Sequence, residues 1–412
     1  MGANNILTTQ RLDPVVYPGR VSTHVHSVLG GSNFGLNVTT EDLRRSECTS
    51  IPIVEDKSNY WFPHLYFQCA NQWQNGTFTS MNGSAMYVSS YYQDLHLTIS
   101  QDYLFNEVPG YTSPFPDNFR MVSGDPNLRT LDPISFAQQA ITFLCLDFTG
   151  ASRRFNELPT GICPSGIRAQ INFPSCWDGK VRPKINANPV ILTPWLNQNS
   201  DSPDHKSHVA FLSTGPDNGT CNDSHFPLTI PRIFIEVYWN TQVFDDVRHE
   251  AMTPTQPFVF SNGDPKGYSY LAGKPIEVDF INGWEPEVLQ RAVNECNCNP
   301  YGDPSCCAAK GIFTIDQHTN CFITNTFDEA TTGTLASLPG NNPVQADCYE
   351  TYIDTSTPGV LSPVFVYSGS ASPPPPTGIT LVTPMTSTVA QTAHGTCIRK
   401  NTAVPLFVAP PV

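Results

Sequence analysis

Residues 232–239 read Arg-Ile-Phe-Ile-Glu-Val-Tyr-Trp, and this stretch is the clearest indication of the fold. Successive side chains of a β-strand point to opposite faces of the sheet. One face of this strand would carry Ile, Ile, Val and Trp, while the other would carry Arg, Phe, Glu and Tyr. The pattern predicts a mainly β protein, with a β-sandwich or jelly-roll-like domain and long loops. Similar short runs, rich in β-branched and aromatic residues, lie at 60–67, 85–92, 141–148, 168–173, 209–212 and 258–261.

The β-rich part is predicted to span residues 11–285, and a helix follows it. Residues 285–295 read Glu-Pro-Glu-Val-Leu-Gln-Arg-Ala-Val-Asn-Glu, with apolar residues at helical spacing and a proline in the first turn. We predict that this helix opens a small cysteine-rich extension, residues 286–366. A Pro/Ser/Thr-rich tail, residues 367–412, comes last, and Cys397 would tie it back onto the body.

The composition excludes several classes of partner. The 412 residues include 22 Lys and Arg against 36 Asp and Glu, a net charge of −14, and only 14% are charged. A chain so poor in positive charge lacks the cationic surface that nucleic acids and anionic membranes attract. No apolar run approaches the roughly 20 residues that span a bilayer, so no membrane span is expected. The start of the chain has no basic segment followed by an apolar one, so we expect no secretory signal within it.

The 13 cysteines predict disulfides and an oxidising compartment. Seven lie after residue 290, which leaves an odd thiol, and their spacing lacks the C-x2-C pairs of zinc ribbons and redox motifs. Together with five Asn-x-Ser/Thr sequons, the cysteines predict a secreted, extracellular glycoprotein. Neighbour order pairs the first six as Cys48 with Cys69, Cys145 with Cys163 and Cys176 with Cys221. The sequons are Asn37, Asn75, Asn82, Asn218 and Asn222.

Four of the ten histidines lie in two short clusters, His24 with His26 and His205 with His208. If the first cluster belongs to a strand over residues 20–26, alternation places both imidazoles on one polar face, about 7 Å apart. Such a pair can bind a transition metal, with further ligands from the second cluster. Imidazole also titrates near neutrality, so the same groups can act as general acids and bases without a metal. The alternative is that they are hydrogen-bonded surface or loop anchors.

The carboxylates suited to paired acid and base chemistry are Asp178, Asp201, Asp204, Glu236, Asp264 and Asp279. Asp178 and Glu236 are the two that the surrounding sequence singles out. Asp178 follows a strand-like run and a cysteine, so it would be presented at a rigid strand end, where sites are common. The alternative is an ordinary Asp-Gly turn. Glu236 shares its strand face with aromatic and charged side chains, which stack on sugar rings and bind their hydroxyls. The alternative is a cross-strand Arg–Glu pair on a solvated face.

Segments at 56–61 and 261–264 are dense in hydrogen-bonding groups, which is typical of turns or of the polar rim of a groove. The sequence has no G-x-S-x-G elbow, P-loop or G-x-G-x-x-G fingerprint, so it does not favour serine-hydrolase or nucleotide chemistry. The residues predicted to bind substrate are Lys57, Asn59, Trp61, Arg120, Trp177, Tyr238 and Asp264.

Several segments, taken in order over about residues 11–285, resemble one known family. It is the secreted, mainly fungal domain-of-unknown-function nineteen ninety-six family, whose members are often joined to WSC-type or other carbohydrate-binding modules. The resemblance transfers no known catalytic residue and implies, by analogy only, action on or attachment to polysaccharide. Many members have a histidine shortly before the Asp-Phe-x-Asn-Gly-Trp segment; residues 270–278 have none, which weakens a metal site that needs it. The segments that carry the resemblance include 22–26, 56–61, 173–180, 201–208 and 279–284.

The leading hypothesis is a secreted carbohydrate-active hydrolase. Its groove would be lined by His24, His26, His205, His208, Asp178 and Glu236. A second hypothesis is a non-catalytic glycan-binding or structural protein of the extracellular matrix. A third is a metallohydrolase or lyase, with a divalent transition metal on His24, His26 and His208. The sequence assigns no cofactor and no oligomeric state.

Overall fold

The computed structural model describes most of the predicted β-rich part and of the extension. The described residues are 2–70, 77–80, 83–88, 105, 112–124, 127–180, 182–183, 198–268, 278–296, 304–350, 352, 354, 357–369 and 380–381. The predicted sequons Asn75 and Asn82 and the predicted tail cysteine Cys397 lie outside these residues.

Short strands dominate the described residues, as the sequence predicted. In chain order they are β1 Thr8–Gln10, β2 His26–Gly30, β3 Asn59–Pro63, β4 Leu65–Gln68, β5 Phe78–Ser80, β6 Gly83–Val88, β7 Arg120–Ser123, β8 Ile141–Cys145, β9 Arg153–Phe155, β10 Ile167–Asn172, β11 Cys176–Trp177, β12 Arg182–Pro183, β13 Gln198–Asn199, β14 Val209–Ala210, β15 Leu228–Thr229, β16 Phe234–Trp239, β17 Phe258–Phe260, β18 Val278–Ile281, β19 Asn320–Ile323, β20 Thr334–Leu335, β21 Leu361–Ser362, β22 Val366–Gly369 and β23 Thr380–Leu381. The helices are α1 Thr40–Arg44, α2 Phe136–Gln139, α3 Pro286–Glu295 and α4 Ser305–Ala309, with 3₁₀ turns at Thr241–Glu250 and Pro339–Asn341.

Two five-stranded antiparallel sheets form the body of the fold. The first sheet has the order β1-β2-β3-β18-β7, and the second has the order β6-β16-β10-β8-β9. Their facing side chains belong to one buried cluster, in which the rings of Phe62 and Trp239 are 6.0 Å apart. This is the sandwich that the pattern of residues 232–239 predicted, since Ile235, Val237 and Trp239 are all buried on one face of β16. A four-stranded sheet, β17-β4-β5-β20, and smaller pairs complete the β structure.

The first sheet is buried on both faces. Its second face carries Val28, Trp61 and Val122, which form a separate apolar cluster with Leu12 of the N-terminal segment. Residues Cys321, Ile323 and Phe327 of the extension belong to the same cluster. The extension therefore covers the face of the first sheet that turns away from the second sheet.

The helix predicted at 285–295 is confirmed as α3, which buries Leu289, Ala292 and Val293 against the main core. The strand predicted at 20–26 is wrong, because only His26 belongs to β2. The backbone before it turns away from the sheet: the Ser22 N–H donates to the Arg11 carbonyl, and the Thr23 carbonyl accepts from the Asn342 side chain.

The disulfides include one, Cys48–Cys321, that connects the body to the extension. Cys145 pairs with Cys163 and Cys176 with Cys221, as neighbour order predicted. Pairing of Cys48 with Cys69 was wrong, because Cys48 bonds to Cys321 across a separation of 273 residues. Neighbour order fails here because β19 folds back beside the loop after α1. A further disulfide joins Cys296 and Cys307, while Cys348 is a free, exposed thiol.

Among the described residues, no helix has the length and apolar character needed to cross a membrane.

Candidate functional site

The covered face of the first sheet carries polar groups among its apolar ones. Asp279 on β18 lies opposite Trp61 on β3 and Val122 on β7, and Trp61 lies opposite Val28 on β2. Directly paired residues share a face, and so do residues two apart on one strand. His26, two residues before Val28, is therefore on the same face as Asp279 and Trp61. All three side chains are fully buried.

Asp13, in the segment after β1, lies next to the polar groups of this face. Its Oδ1 accepts from the N–H groups of Val15 and Val16, at 3.0 and 2.9 Å, which fixes the carboxylate in a turn. Its Oδ2 is buried and has no hydrogen-bond partner. The neighbouring Leu12 carbonyl is 3.2 Å from Nδ1 of His26. One short segment thus supplies a carboxylate and orients an imidazole.

Ligand atoms of Asp13, His26 and Asp279 converge to within 4.8 Å of one another. A carbonyl oxygen only accepts hydrogen bonds, so Nδ1 of His26 carries the proton that it donates to Leu12. Nε2 of the neutral ring then has a free lone pair, and it is buried with no hydrogen-bond partner. This tautomer, fixed by a backbone carbonyl, is the usual arrangement of a metal-binding histidine. We call Asp13, His26 and Asp279 the buried triad.

Burial shifts the pKa values of two members of the triad, His26 and Asp13. The pKa of His26 falls to about 3, because burial disfavours the imidazolium, so the ring is neutral near pH 7. Burial raises the pKa of Asp13 to about 6, although the Val15 and Val16 N–H groups and the charges of His205 and Arg120 act to lower it. His26 and Asp13 therefore present lone pairs of nitrogen and oxygen at neutral pH.

His24 lies against His26, with ring centroids 4.3 Å apart in an edge-on arrangement. The sequence placed the two imidazoles together, but the rings are closer than the predicted 7 Å because residues 20–25 form no strand and the chain bends at residues 23 and 24. Nδ1 of His24 is 3.1 Å from the Thr23 hydroxyl. Burial lowers the pKa of His24 well below its ordinary value, and the nearby His26 and Arg11 act in the same direction.

The second histidine cluster lies beside edge strand β7. The Val122 N–H donates to the His205 carbonyl, and His205 has a left-handed backbone with φ of 54°. Nδ1 of His205 contacts the buried Asp201 carboxylate at 2.5 Å, and Nδ1 of His208 is 2.8 Å from the Ser202 hydroxyl. The His205 side chain is 18% exposed, whereas the triad is fully buried. His205 is therefore the part of this cluster that solvent reaches.

Arg120 and the predicted tryptophans surround these groups. Arg120 on β7 donates to the Val38 carbonyl at 2.7 Å; burial lowers its pKa, while Asp201 and Asp13 act to raise it. The Trp61 ring packs 5.0 Å from Phe34 on the covered face. The Trp177 indole N–H donates to the Ser200 carbonyl at 3.3 Å.

Asp178 adjoins the second histidine cluster through its backbone, because its N–H donates to the His208 carbonyl at 3.0 Å. Its carboxylate accepts from the Lys180 N–H at 3.0 Å, which is an Asp-Gly turn. Three other members of the predicted set contact groups outside the triad. The Asn59 side chain donates to the Leu29 and Gly31 carbonyls. Asp264 accepts from the Lys266 N–H in the turn after β17, and Lys57 lies among Glu55, Asp56 and Glu285.

Glu236 makes its contacts on the second sheet. Its carboxylate lies 3.1 Å from Nη1 of Arg168 and accepts from Gln170 at 3.2 Å and from the Tyr238 hydroxyl at 2.8 Å. The Arg168 guanidinium is 5.5 Å from the centroid of the Tyr238 ring. These contacts form a polar network on β10 and β16, separate from the buried triad.

Sequence reasoning included His26 among the site residues and named Asp279 among six carboxylates suited to acid and base chemistry, but it did not single out Asp279 and left out Asp13. A usable signal was present, because Asp279 stands in the apolar run Val-Asp-Phe-Ile of β18. An acid buried beside apolar residues such as Phe280 and Ile281 is costly unless something compensates its charge, so such positions favour a function.

Of the predicted glycosylation sites, Asn37, Asn218 and Asn222 are all exposed. Exposure is a requirement for glycan attachment, so these three remain predicted sites.

A comparison with protein-family models matches a large part of the chain to one family. A family model described as "Domain of unknown function (DUF1996)" matches residues 13–284. No curated protein and no solved structure matches the chain. The matched segment begins at Asp13 and includes His26 and Asp279, so the whole triad lies within it.

Proposed function

The chain belongs to the family described as Domain of unknown function (DUF1996), and from the geometry of its buried triad we propose that it is a divalent-metal-dependent enzyme of the hydrolase or lyase type. One observation carries this proposal. The unprotonated Nε2 of His26 and the unpaired Oδ2 of Asp13 are buried, and the ligand atoms of the triad lie within 4.8 Å of one another. A cation between them would satisfy groups whose burial is otherwise costly.

The chemistry of the donors fits a divalent ion. Two carboxylates and a neutral imidazole carry two negative charges, which one divalent cation would neutralise. Carboxylates suit Mg²⁺, Ca²⁺ and Mn²⁺, and imidazole suits Zn²⁺ and Fe²⁺, so a mixed set favours Mn²⁺, Zn²⁺ or Fe²⁺. Opposite ligands of such an ion lie about 4.2–4.6 Å apart, so small side-chain rotations would close the triad on one ion.

Three protein ligands leave coordination positions for water or substrate, as in catalytic metal sites. A bound ion would lower the pKa of a coordinated water or polarise a substrate oxygen. His205 would connect this centre to solvent. Its Nδ1 is oriented by Asp201, and its charge interacts with Asp13. A histidine–carboxylate pair at this position is suited to proton transfer.

The first experiment measures metal content. Protein purified without chelator, or loaded with Mn²⁺ or Zn²⁺ and then desalted, should hold about one equivalent by elemental analysis. Variants His26→Gln and Asp279→Asn should hold less than about a tenth of an equivalent. His64→Gln is the matched control, because His64 is another buried histidine, with Nδ1 2.8 Å from the Ser27 hydroxyl. Equal metal content in all variants, or none in the wild type, would overturn the proposal.

We further propose an extracellular polysaccharide as the substrate, because members of the family are often joined to carbohydrate-binding modules. The disulfides agree with an oxidising, extracellular location. The test is release of reducing ends or unsaturated products from wall glucans, mannans, chitin and pectins. Release should stop with chelator and with Asp279→Asn, and return when the ion is restored. Loss of release with Asp178→Asn and Glu236→Gln, but not with chelator, would favour a metal-free carboxylate pair instead.

A glycan-binding role has one observation in its favour. The Tyr238 ring carries Arg168 over its face and bonds to Glu236, so the second sheet offers an aromatic and charged surface of the kind that binds sugars. Retention of the protein on insoluble glucan that survives His26→Gln and fails with Tyr238→Ala would support this second role.

A further inference from the structure

Arg11 connects three segments of the chain beside the buried triad. Its side chain is fully buried. Nη1 donates to the Ser22 carbonyl at 3.1 Å, and the Arg11 carbonyl accepts from the Ser22 N–H at 3.0 Å. Ser22 lies two residues before His24, so this pair joins the segment of Asp13 to the segment of the first histidine cluster.

The third segment belongs to the extension. Nε of Arg11 lies 2.7 Å from the Glu329 carboxylate, and Nη1 lies 2.6 Å from the Asp354 carboxylate. Both carboxylates are largely shielded from solvent, with 15% and 18% of their side chains exposed. Charge-assisted hydrogen bonds of this kind are stronger and more directional than neutral ones.

Arg11 is followed directly by two residues of the metal centre. Leu12 supplies the carbonyl that fixes the tautomer of His26, and Asp13 supplies a carboxylate. Three consecutive residues therefore provide the anchor, the orienting carbonyl and the ligand. A shift of the anchor would move both of the others, because the backbone between them has few free torsions.

The extension also touches the segment before His24 through its backbone. The Asn342 side chain donates to the Thr23 carbonyl at 2.8 Å. Gly340 has φ of 77°, and a Cβ placed there would lie 2.4 Å from the Thr23 carbonyl oxygen and 2.8 Å from Nη1 of Arg11. Only glycine allows this close approach without displacement of the backbone.

We propose that Glu329, Gly340, Asn342 and Asp354 of the extension act as a clamp on the metal centre. Arg11 is the positioning residue through which this clamp holds Asp13 and His26 in place. The clamp makes the extension a part of the site, although it contributes no ligand of the buried triad. This inference rests on the proposed function, since it concerns the affinity of the same ion.

The first test displaces the clamp without changing any charge. Gly340→Ala introduces the clash with Thr23 and Arg11 and should weaken Mn²⁺ binding at least tenfold by calorimetric titration. Gly333→Ala is the matched control, because Gly333 is also in the extension and has φ of 84°, but a Cβ there meets no atom within 4 Å. The control should bind Mn²⁺ within about threefold of the wild type.

The second test removes the ion pairs. Arg11→Met keeps most of the side-chain volume and should also weaken Mn²⁺ binding at least tenfold. Lys266→Met is its control, because the Lys266–Asp347 pair, at 3.1 Å, also joins the body to the extension but is exposed, whereas the Arg11 side chain is fully buried. If Arg11→Met does not fold, Glu329→Gln and Asp354→Asn each break one of the two pairs and should each weaken binding measurably.

A readout other than affinity separates positioning from general stability. The electron paramagnetic resonance spectrum of bound Mn²⁺ reports its coordination, so it should change in Gly340→Ala and Arg11→Met and stay unchanged in both controls. Wild-type protein that binds no ion overturns the proposed function and this inference together. Wild-type protein that binds Mn²⁺, with clamp variants that bind within threefold and give the same spectrum, overturns the clamp alone.

Discussion

The disulfide between Cys48 and Cys321 gives a quantitative test of how firmly the extension belongs to the body. It closes a separation of 273 residues, whereas the Cys145–Cys163 disulfide closes 18. Cross-linking stabilises a protein mainly by restricting the unfolded chain, and the effect grows with the logarithm of loop length. A loop of about 15 residues gives about 3 kcal/mol and one of about 100 residues about 4.7 kcal/mol, with about 0.6 kcal/mol for each further doubling.

On this scale, replacing Cys48 and Cys321 together by alanine should lower the free energy of unfolding by about 5 kcal/mol, and replacing Cys145 and Cys163 by about 3 kcal/mol. The nested short disulfides shorten the long loop, but the logarithm makes that correction small. Guanidinium denaturation followed by tryptophan fluorescence measures both variants under the same ion concentration.

The comparison depends on an extension that unfolds together with the body. The buried Cys321 packs in the same apolar cluster as Val28 and Trp61, which is the reason to expect a single transition. A loss for the long-loop variant that is no larger than that for the short-loop variant would refute this reasoning. So would a separate early transition of the extension in the wild-type protein.

Three further predictions concern the ion and two side chains outside the clamp. Chelation of the ion should lower the thermal midpoint by about 3–5 °C, since saturation at about 100 times Kd contributes about 2.7 kcal/mol and the entropy of unfolding is about 2.1 cal/mol/K per residue; an unchanged midpoint would contradict a bound ion. Glu236→Gln should leave the metal content unchanged but cost about 1–3 kcal/mol of stability by denaturation, because it removes the charge that bonds Arg168, Gln170 and Tyr238. Burial lowers the pKa of His64 to about 3, so the folded state binds fewer protons than the unfolded state between about pH 6.5 and 3. The free energy of unfolding should therefore decrease as the pH is lowered through that window. This residue should contribute a loss of about 2 kcal/mol between pH 7 and pH 5. His64→Gln should show a correspondingly shallower fall, and an equal fall would count against the assignment.

The sequence predicted those parts of the fold that depend on local pattern. Alternation over residues 232–239 identified β16 and its buried face, and a proline followed by apolar residues at helical spacing identified α3. The pairing of Cys48 was not predictable in this way, because it depends on where β19 returns to the body. Loop paths of this length are not encoded in neighbouring residues.

The candidate site was predictable only in part, for a physical reason. His24 and His26 stand close together in the sequence, so a pattern could associate them. Asp13 and Asp279 are separated by most of the family domain, and only the pairing of β18 with β3 and the turn after β1 bring them to His26. Burial is the property that distinguishes Asp13 and Asp279 from ordinary surface carboxylates. Burial depends on the tertiary fold, so the local sequence does not reveal it.

The clamp and the ion must stabilise each other. The extension buries the covered face of the first sheet, and a carboxylate buried there without a cation is costly. The more completely the extension excludes water from this face, the larger the free-energy cost of the triad without an ion. The preference for a bound ion then becomes stronger. Linkage makes this relation reciprocal: a cover that raises ion affinity by some factor is itself held more tightly, by the same factor, when the ion is bound. Two free energies should therefore be equal in Gly340→Ala. One is the loss of Mn²⁺ binding free energy, and the other is the decrease in the stabilisation that bound Mn²⁺ gives to the packing of the extension.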